Sequence, residues 1–186
     1  FEYLITKGIE IQNFRNLAML YKKAAAEINW PSETQLITLS DKHKSLLKDS
    51  YNRLLHVQEA PKLNVEAVNK ALNVEEISKD YFNHEFGLTY IDNFLSTTAL
   101  KSIRRFLLGS SIWFDVKSGG YLGAYLKEGL ANPLILQIAE ELRKKFPIIS
   151  KDYPIKHIWA YKYDSRAKNK DSSLKGINVH ADFAAV

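Results

Sequence analysis

At Phe86 the chain changes period. Residues 1–85 are dominated by helix formers with apolar residues recurring every three or four positions, whereas the sequence beyond turns to short β-branched and aromatic runs separated by helices. A chain built this way cannot be all-α or all-β, and the reading is α+β: a helical leader over 1–85 and a second region over 86–186. In the leader, "NFRNLAMLYKKAAAEINW" reads as a helix stopped by Pro31. "SDKHKSLLKDSYNRLLHV" starts at Ser40 as N-cap, places Leu47, Tyr51, Leu54 and Leu55 near one stripe and is bounded by Pro61. The tetrapeptide "LNVE" occurs twice, and Asn64 and Asn73 within it are expected to cap two short helices.

Beyond Phe86, "FGLTYIDNFL" has strand composition. Ser96 then caps "TTALKSIRRFLL", whose apolar face is Leu100, Ile103, Phe106 and Leu107, with Gly109 past its end. "SIWFDV" reads as a second strand and "SGGY" as a turn. Asn132 followed by Pro133 marks a helix start. Leu134, Ile135, Ile138, Ala139 and Leu142 form its stripe, and Arg143, Lys144 and Lys145 lie where cations complement the macrodipole. "IKHIWAYKYD" reads as a strand with Ile155, His157, Trp159, Tyr161 and Tyr163 on one face. A polar loop at 165–175 precedes "GINVHADFAAV", in which Ile177, Val179, Ala181, Phe183 and Ala185 share an apolar face and Asn178, His180 and Asp182 share the other. No Gly/Ser/Pro-rich linker lies near Phe86, so the leader is expected to pack tightly against the second region.

Composition narrows the function classes. The 186 residues are 46% hydrophobic and 25% charged, as in an ordinary globular protein, and no apolar run approaches the ~20 residues of a membrane span. A membrane partner is therefore not expected. Cysteine is absent, which excludes disulfides, thiolate metal sites and a thiol nucleophile. Together with the lack of a signal peptide, this predicts a cytoplasmic protein. The net charge of +5 reads as a solvated basic face, because basic residues and stacking aromatics are not interleaved as nucleic-acid binding requires. The sequence does not open on Met, and the expectation is a piece of a longer protein.

His180 and Asp182 carry the chemistry. Two residues apart on a strand they lie on one side, roughly 6–7 Å apart at the backbone, so an imidazole and a carboxylate can converge on one ion. That donor pair with open positions suits non-haem Fe(II). The plain alternative is a structural histidine hydrogen-bonded to Asp182. The order of elements after Phe86, with "YIDNFLSTTAL", "WAYKYD" and "NVHADFA" at their mutual spacing, resembles the 2-oxoglutarate and Fe(II)-dependent dioxygenases. The likeness is to their prolyl-hydroxylase-like branch, and residues 1–85 are similar to the leader of bacterial members carrying tetratricopeptide repeats.

The resemblance implies a double-stranded β-helix (jelly roll) with supporting helices, present here only in its N-terminal part. It implies His180 and Asp182 as iron ligands, and Tyr163, Tyr161 and Asn178 as contacts to the co-substrate. Fe(II), 2-oxoglutarate and O2 are the implied cofactors and co-substrates, with ascorbate as an optional reductant. The implied reaction hydroxylates an unidentified protein side chain or small molecule while 2-oxoglutarate becomes succinate. A second iron-binding His and an Arg or Lys for the co-substrate are expected beyond Val186, so residues 1–186 alone are expected to be inactive. The competing expectation is a non-catalytic binding or scaffold protein with a degenerate oxygenase fold.

Overall fold

The computed structural model describes residues 1–31, 36–117, 120–151 and 153–163. The chain divides into two compact units that interleave in sequence. The first comprises Phe1–Val57, Gly109–Leu130 and the segment from Trp159; the second comprises Gln58–Leu108 and Ala131–Ile158. Helices and an antiparallel sheet together make the protein α+β.

The first unit opens with α1 (Glu2–Thr6), α2 (Ile11–Glu27) and α3 (Asp41–Leu47). Gly8, at φ +74°, turns the chain between α1 and α2. Phe14 of α2 is fully buried, stacked on Phe1 at 5.3 Å and edge-on to the His56 ring at 6.3 Å. Ser40 caps α3, its Oγ accepting the His43 backbone N–H at 3.3 Å. Just inside that cap a polar clamp forms. The buried His43 ring is hydrogen-bonded through Nδ1 to the Ser40 hydroxyl at 3.0 Å and through Nε2 to Glu27 Oε2 at 3.2 Å. A carboxylate only accepts, so Nε2 carries the proton. Lys42 Nζ donates to the same Glu27 oxygen at 2.6 Å. Glu27, the last residue of α2, is thus the hinge on which α3 closes, and its carboxyl is held below the usual range by Lys42 first and His43 second. α3 stops at Leu47, well short of the expected stripe: Leu47 is buried, but Tyr51 and Leu54 are exposed.

The sheet of this unit has the order β1-β2-β3, with β1 at Asp115–Lys117, β2 at Tyr121–Tyr125 and β3 at Trp159–Tyr163, antiparallel throughout. β1 is shorter than "SIWFDV" suggested because Ser111 is engaged elsewhere. Its Oγ accepts the backbone N–H groups of Leu55 and His56 at 2.9 and 2.7 Å, and its own N–H donates to the His56 carbonyl at 2.8 Å. A 3-10 turn at Leu126–Glu128 ends β2 on Gly129, whose φ of +99° favours glycine and whose Cα faces Leu54 and Ile112 too closely for a side chain.

The second unit contains α4 (Val74–Asn83), α5 (Thr97–Gly109, whose final residue is counted with the first unit), α6 (Pro133–Lys145) and α7 (Pro147–Ser150). Three caps form as the sequence indicates: Asn73 Oδ1 accepts from Glu76 N–H at 3.2 Å, Ser96 Oγ from Ala99 N–H at 3.3 Å and Asn132 Oδ1 from Ile135 N–H at 3.0 Å. Asn64 caps no helix. Phe106, Ala99 and Leu134 are fully buried, whereas Leu100 is exposed.

One buried polar residue interrupts the α6 stripe. Gln137 takes the Leu63 N–H on Oε1 at 2.7 Å and donates Nε2 to the Val65 carbonyl at 2.9 Å and to Glu141 Oε1 at 2.8 Å. Glu141 Oε2 accepts the Val68 N–H at 2.7 Å. This irregular stretch therefore satisfies its backbone on α6 side chains instead of on a ladder. "FGLTYIDNFL" does not enter a sheet; among the described residues its one ladder contact is the bridge between Leu95 and Val68.

Candidate functional site

Pairing between β2 and β3 sets Tyr121 opposite Tyr163, Gly123 opposite Tyr161 and Tyr125 opposite Trp159. Pairing between β1 and β2 sets Asp115 opposite Gly123 and Lys117 opposite Tyr121. Opposed residues share a face, so this register gathers four tyrosines, Asp115 and Lys117 on one side of the sheet. Tyr121 stacks on Tyr163 at 5.1 Å and meets the Tyr161 ring edge-on at 5.2 Å. Gly123 makes room for this packing: a Cβ there would lie 2.9 Å from the Tyr125 ring and hydroxyl.

A polar chain runs through the cluster. Asp115 Oδ2 accepts from Lys117 Nζ at 2.6 Å, and Lys117 also donates to the Tyr125 hydroxyl while its ammonium sits 5.0 Å from the Tyr125 ring centroid. Tyr125 is in turn hydrogen-bonded to Tyr161. The Asp115 bond, followed by the Tyr125 bond, pushes the Lys117 ammonium well above its ordinary range. Partial burial first, then Tyr125, raises the Tyr161 hydroxyl; burial and then Tyr121 raise Tyr163. At neutral pH the face therefore presents a fixed ammonium and protonated phenols. Tyr125 accepts from Lys117 and still has its own proton to give. Such a surface can hold an anionic ligand by charge-assisted hydrogen bonds over an aromatic floor.

Of the residues singled out in the sequence, Tyr161 and Tyr163 are brought together on this face. Asn178, His180 and Asp182 lie outside the described residues, as does the loop at 165–175. His157 is exposed and precedes β3. Of the other histidines, His43 is a packing residue and His84 is exposed at the end of α4, where its Nδ1 accepts the Phe86 N–H at 3.2 Å. Trp159 is 37% exposed at the edge of the tyrosine face. Sequence reasoning missed Asp115, Lys117, Tyr121 and Tyr125. Their signal is present in "DVKSGGYLGAY", where Asp115 and Lys117, two apart, and Tyr121 and Tyr125, four apart, flank a glycine-rich stretch, the pattern of a hairpin with a common face.

Among the described residues no group of three or more His, Asp or Glu side chains is arranged to hold a metal, and no helix is long and apolar enough to cross a membrane. Among the described residues the tyrosine face offers phenols, one ammonium and one carboxylate and no imidazole, a donor set that suits an anion more than a metal ion. No protein-family model matches the chain, and no similar protein is found among the curated proteins or the solved structures.

Proposed function

We propose that the chain belongs to an Fe(II)- and 2-oxoglutarate-dependent oxygenase that hydroxylates a protein side chain or small molecule. In this reading the three-stranded sheet is part of a double-stranded β-helix, and residues 1–85 are its leader. The observation that carries the proposal is the spacing of "WAYKYD" and "NVHADFA" in the sequence. Support comes from the sheet face, where Tyr161 and Tyr163 stand beside a phenol and an ammonium able to engage a dicarboxylate.

His180 and Asp182 would hold the iron. Bound iron would supply the oxidative chemistry that couples O2 and the decarboxylation of 2-oxoglutarate to succinate and CO2 to hydroxylation of the substrate, with ascorbate as an optional reductant of the metal. The chain's own residues bind and orient. Tyr163, with its hydroxyl held protonated, donates to a co-substrate oxygen; Tyr161, whose proton is engaged by Tyr125, lines the co-substrate with its ring and hydroxyl oxygen; and Asn178 adds an amide donor. Lys117 stays cationic because Asp115 stabilises its charge, and the ammonium serves as a hydrogen-bond donor without a proton transfer.

One observation favours a second reading, a binding or scaffold protein: Lys117 is already satisfied by Asp115 and Tyr125, as in a face built to be stable. Succinate formation and iron uptake separate the two. The protein produced from its complete gene is expected to take up Fe(II) and form succinate, and His180→Ala or Asp182→Ala to abolish both. Tyr163→Phe should raise the KM for 2-oxoglutarate by about two- to tenfold, the value of one lost hydrogen bond. Neither iron uptake nor succinate with the wild-type protein would leave the scaffold reading standing.

A further inference from the structure

A second surface, in the other unit, has no role in the oxygenase reading. α4 and the residues that follow it enclose an open groove of about 920 Å³. Gly87 makes the reversal: its φ is +58°, its N–H donates to the His84 carbonyl at 3.0 Å and its Cα abuts the Tyr81 ring. The chain then runs back beside α4 as residues 88–91. Asn69 closes the end, donating its backbone N–H to the Phe94 carbonyl at 2.8 Å and Nδ2 to the Asn93 carbonyl at 3.0 Å.

Two properties define what the groove can take. Residues 88–91 alternate in exposure, with Leu88 62% and Tyr90 86% exposed and Thr89 and Ile91 half-buried, as in a strand. Yet their backbone makes no hydrogen bond among the described residues. The segment lies outside any strand, and its backbone donors and acceptors are left for a second backbone. The lining also carries Glu76, Asp80 and Asp92 and no Lys or Arg, in a chain whose net charge is +5. The Asp80 and Asp92 carboxylates have no partner among the described residues.

We infer that this groove docks an extended basic peptide. Its backbone pairs with residues 88–91, its Lys or Arg side chains reach Asp80 and Asp92, and its other side chains cover Leu88 and Tyr90. Strand addition to an exposed edge supplies affinity through main-chain bonds, and side chains at every second position supply selectivity. A divalent cation does not account for the groove, since its carboxylates are not arranged as a metal site. Nucleic acid is excluded by charge. A small apolar ligand would leave this backbone unpaired.

Fluorescence anisotropy with labelled peptides tests this on the intact protein. The probe is a hexapeptide alternating Lys and Val; the controls are the same peptide with Glu for Lys, and an N-methylated Lys-Val peptide of equal charge that cannot pair. The Lys-Val probe should bind, and the Glu-Val peptide should not. The N-methylated peptide should bind about tenfold more weakly, as expected when backbone bonds are lost. Asp80→Asn with Asp92→Asn should weaken the probe by about three- to tenfold, with an unchanged circular dichroism spectrum and melting curve. No binding of the Lys-Val probe, or equal binding of the Glu-Val peptide, would overturn the inference. Equal binding of the N-methylated peptide would reduce the surface to simple charge attraction, and would overturn it too.

Discussion

The segment Trp159–Tyr163 and the segment 88–91 are built alike, with large apolar or aromatic residues at alternate positions, and they end in opposite states. The first lies antiparallel to β2, and Tyr161 and Tyr163 both pack against Tyr121. In the second, Tyr90 packs against little and is 86% exposed. What separates them is a neighbour. β2 supplies a ladder, a ring to stack on and a glycine that clears space for Tyr125; α4 supplies a wall of side chains with no backbone bonds to share. Aromatic pairs such as those of Tyr121 are worth about 0.5–1.5 kcal/mol each beyond burial, so the paired segment is anchored several times over and the unpaired one is not. A strand is a property of two chains side by side, and the unpaired one is correspondingly the segment able to accept a partner.

That contrast can be strained by mutation. The largest effect is expected at Gly123→Val, where the added side chain must displace the Tyr125 ring and with it the Lys117 and Tyr161 bonds. A loss of about 1–3 kcal/mol in urea denaturation is the usual scale for such overpacking. A wild-type-like value would mean that the tyrosine face is not tightly packed. By comparison Tyr90→Ser, on the unpaired segment, should change stability by less than about 0.5 kcal/mol. A large loss there would show that the segment is anchored after all.

Smaller shifts sharpen the electrostatic side of the comparison. Lys117→Met keeps the aliphatic stem and removes a cation that favours the Tyr161 phenolate. Tyr161 should therefore ionise at a still higher pH than in the wild type, read by phenolate absorbance, and an unchanged titration would break the link between the two groups. Away from the sheet, Glu27→Gln tests the clamp between α2 and α3. The Glu27 carboxyl titrates below its unfolded value, so its contribution is fully present above the ordinary carboxylate range and is lost as pH falls through the folded value. Wild type and variant should accordingly differ in melting temperature near neutrality and converge in acid. A gap that persisted at low pH would mean that packing around His43, not charge, holds α3.

The sequence by itself determined the local features. Ser40, Asn73, Ser96 and Asn132 each accept an N–H within the next three residues, so the information needed to start those helices lies inside one turn. Pro133, at the first position of α6, belongs to the same class. The α+β composition and the sharing of a face by Tyr161 and Tyr163 were equally readable, because period two needs no partner to be seen. The tertiary structure decided everything that depended on a distant residue. Asn64 has capping chemistry but no helix follows it, since residues 63–68 satisfy their backbone on Gln137 and Glu141. "SIWFDV" yields its first residues to the contact between Ser111 and His56, and "FGLTYIDNFL" gains no ladder beyond its bridge at Leu95. Lys117 and Tyr125 joined the candidate site only when the register of β1, β2 and β3 laid their faces together. Caps act over one turn of backbone, whereas strand pairing and buried polar contacts are settled by which distant segments come to lie side by side.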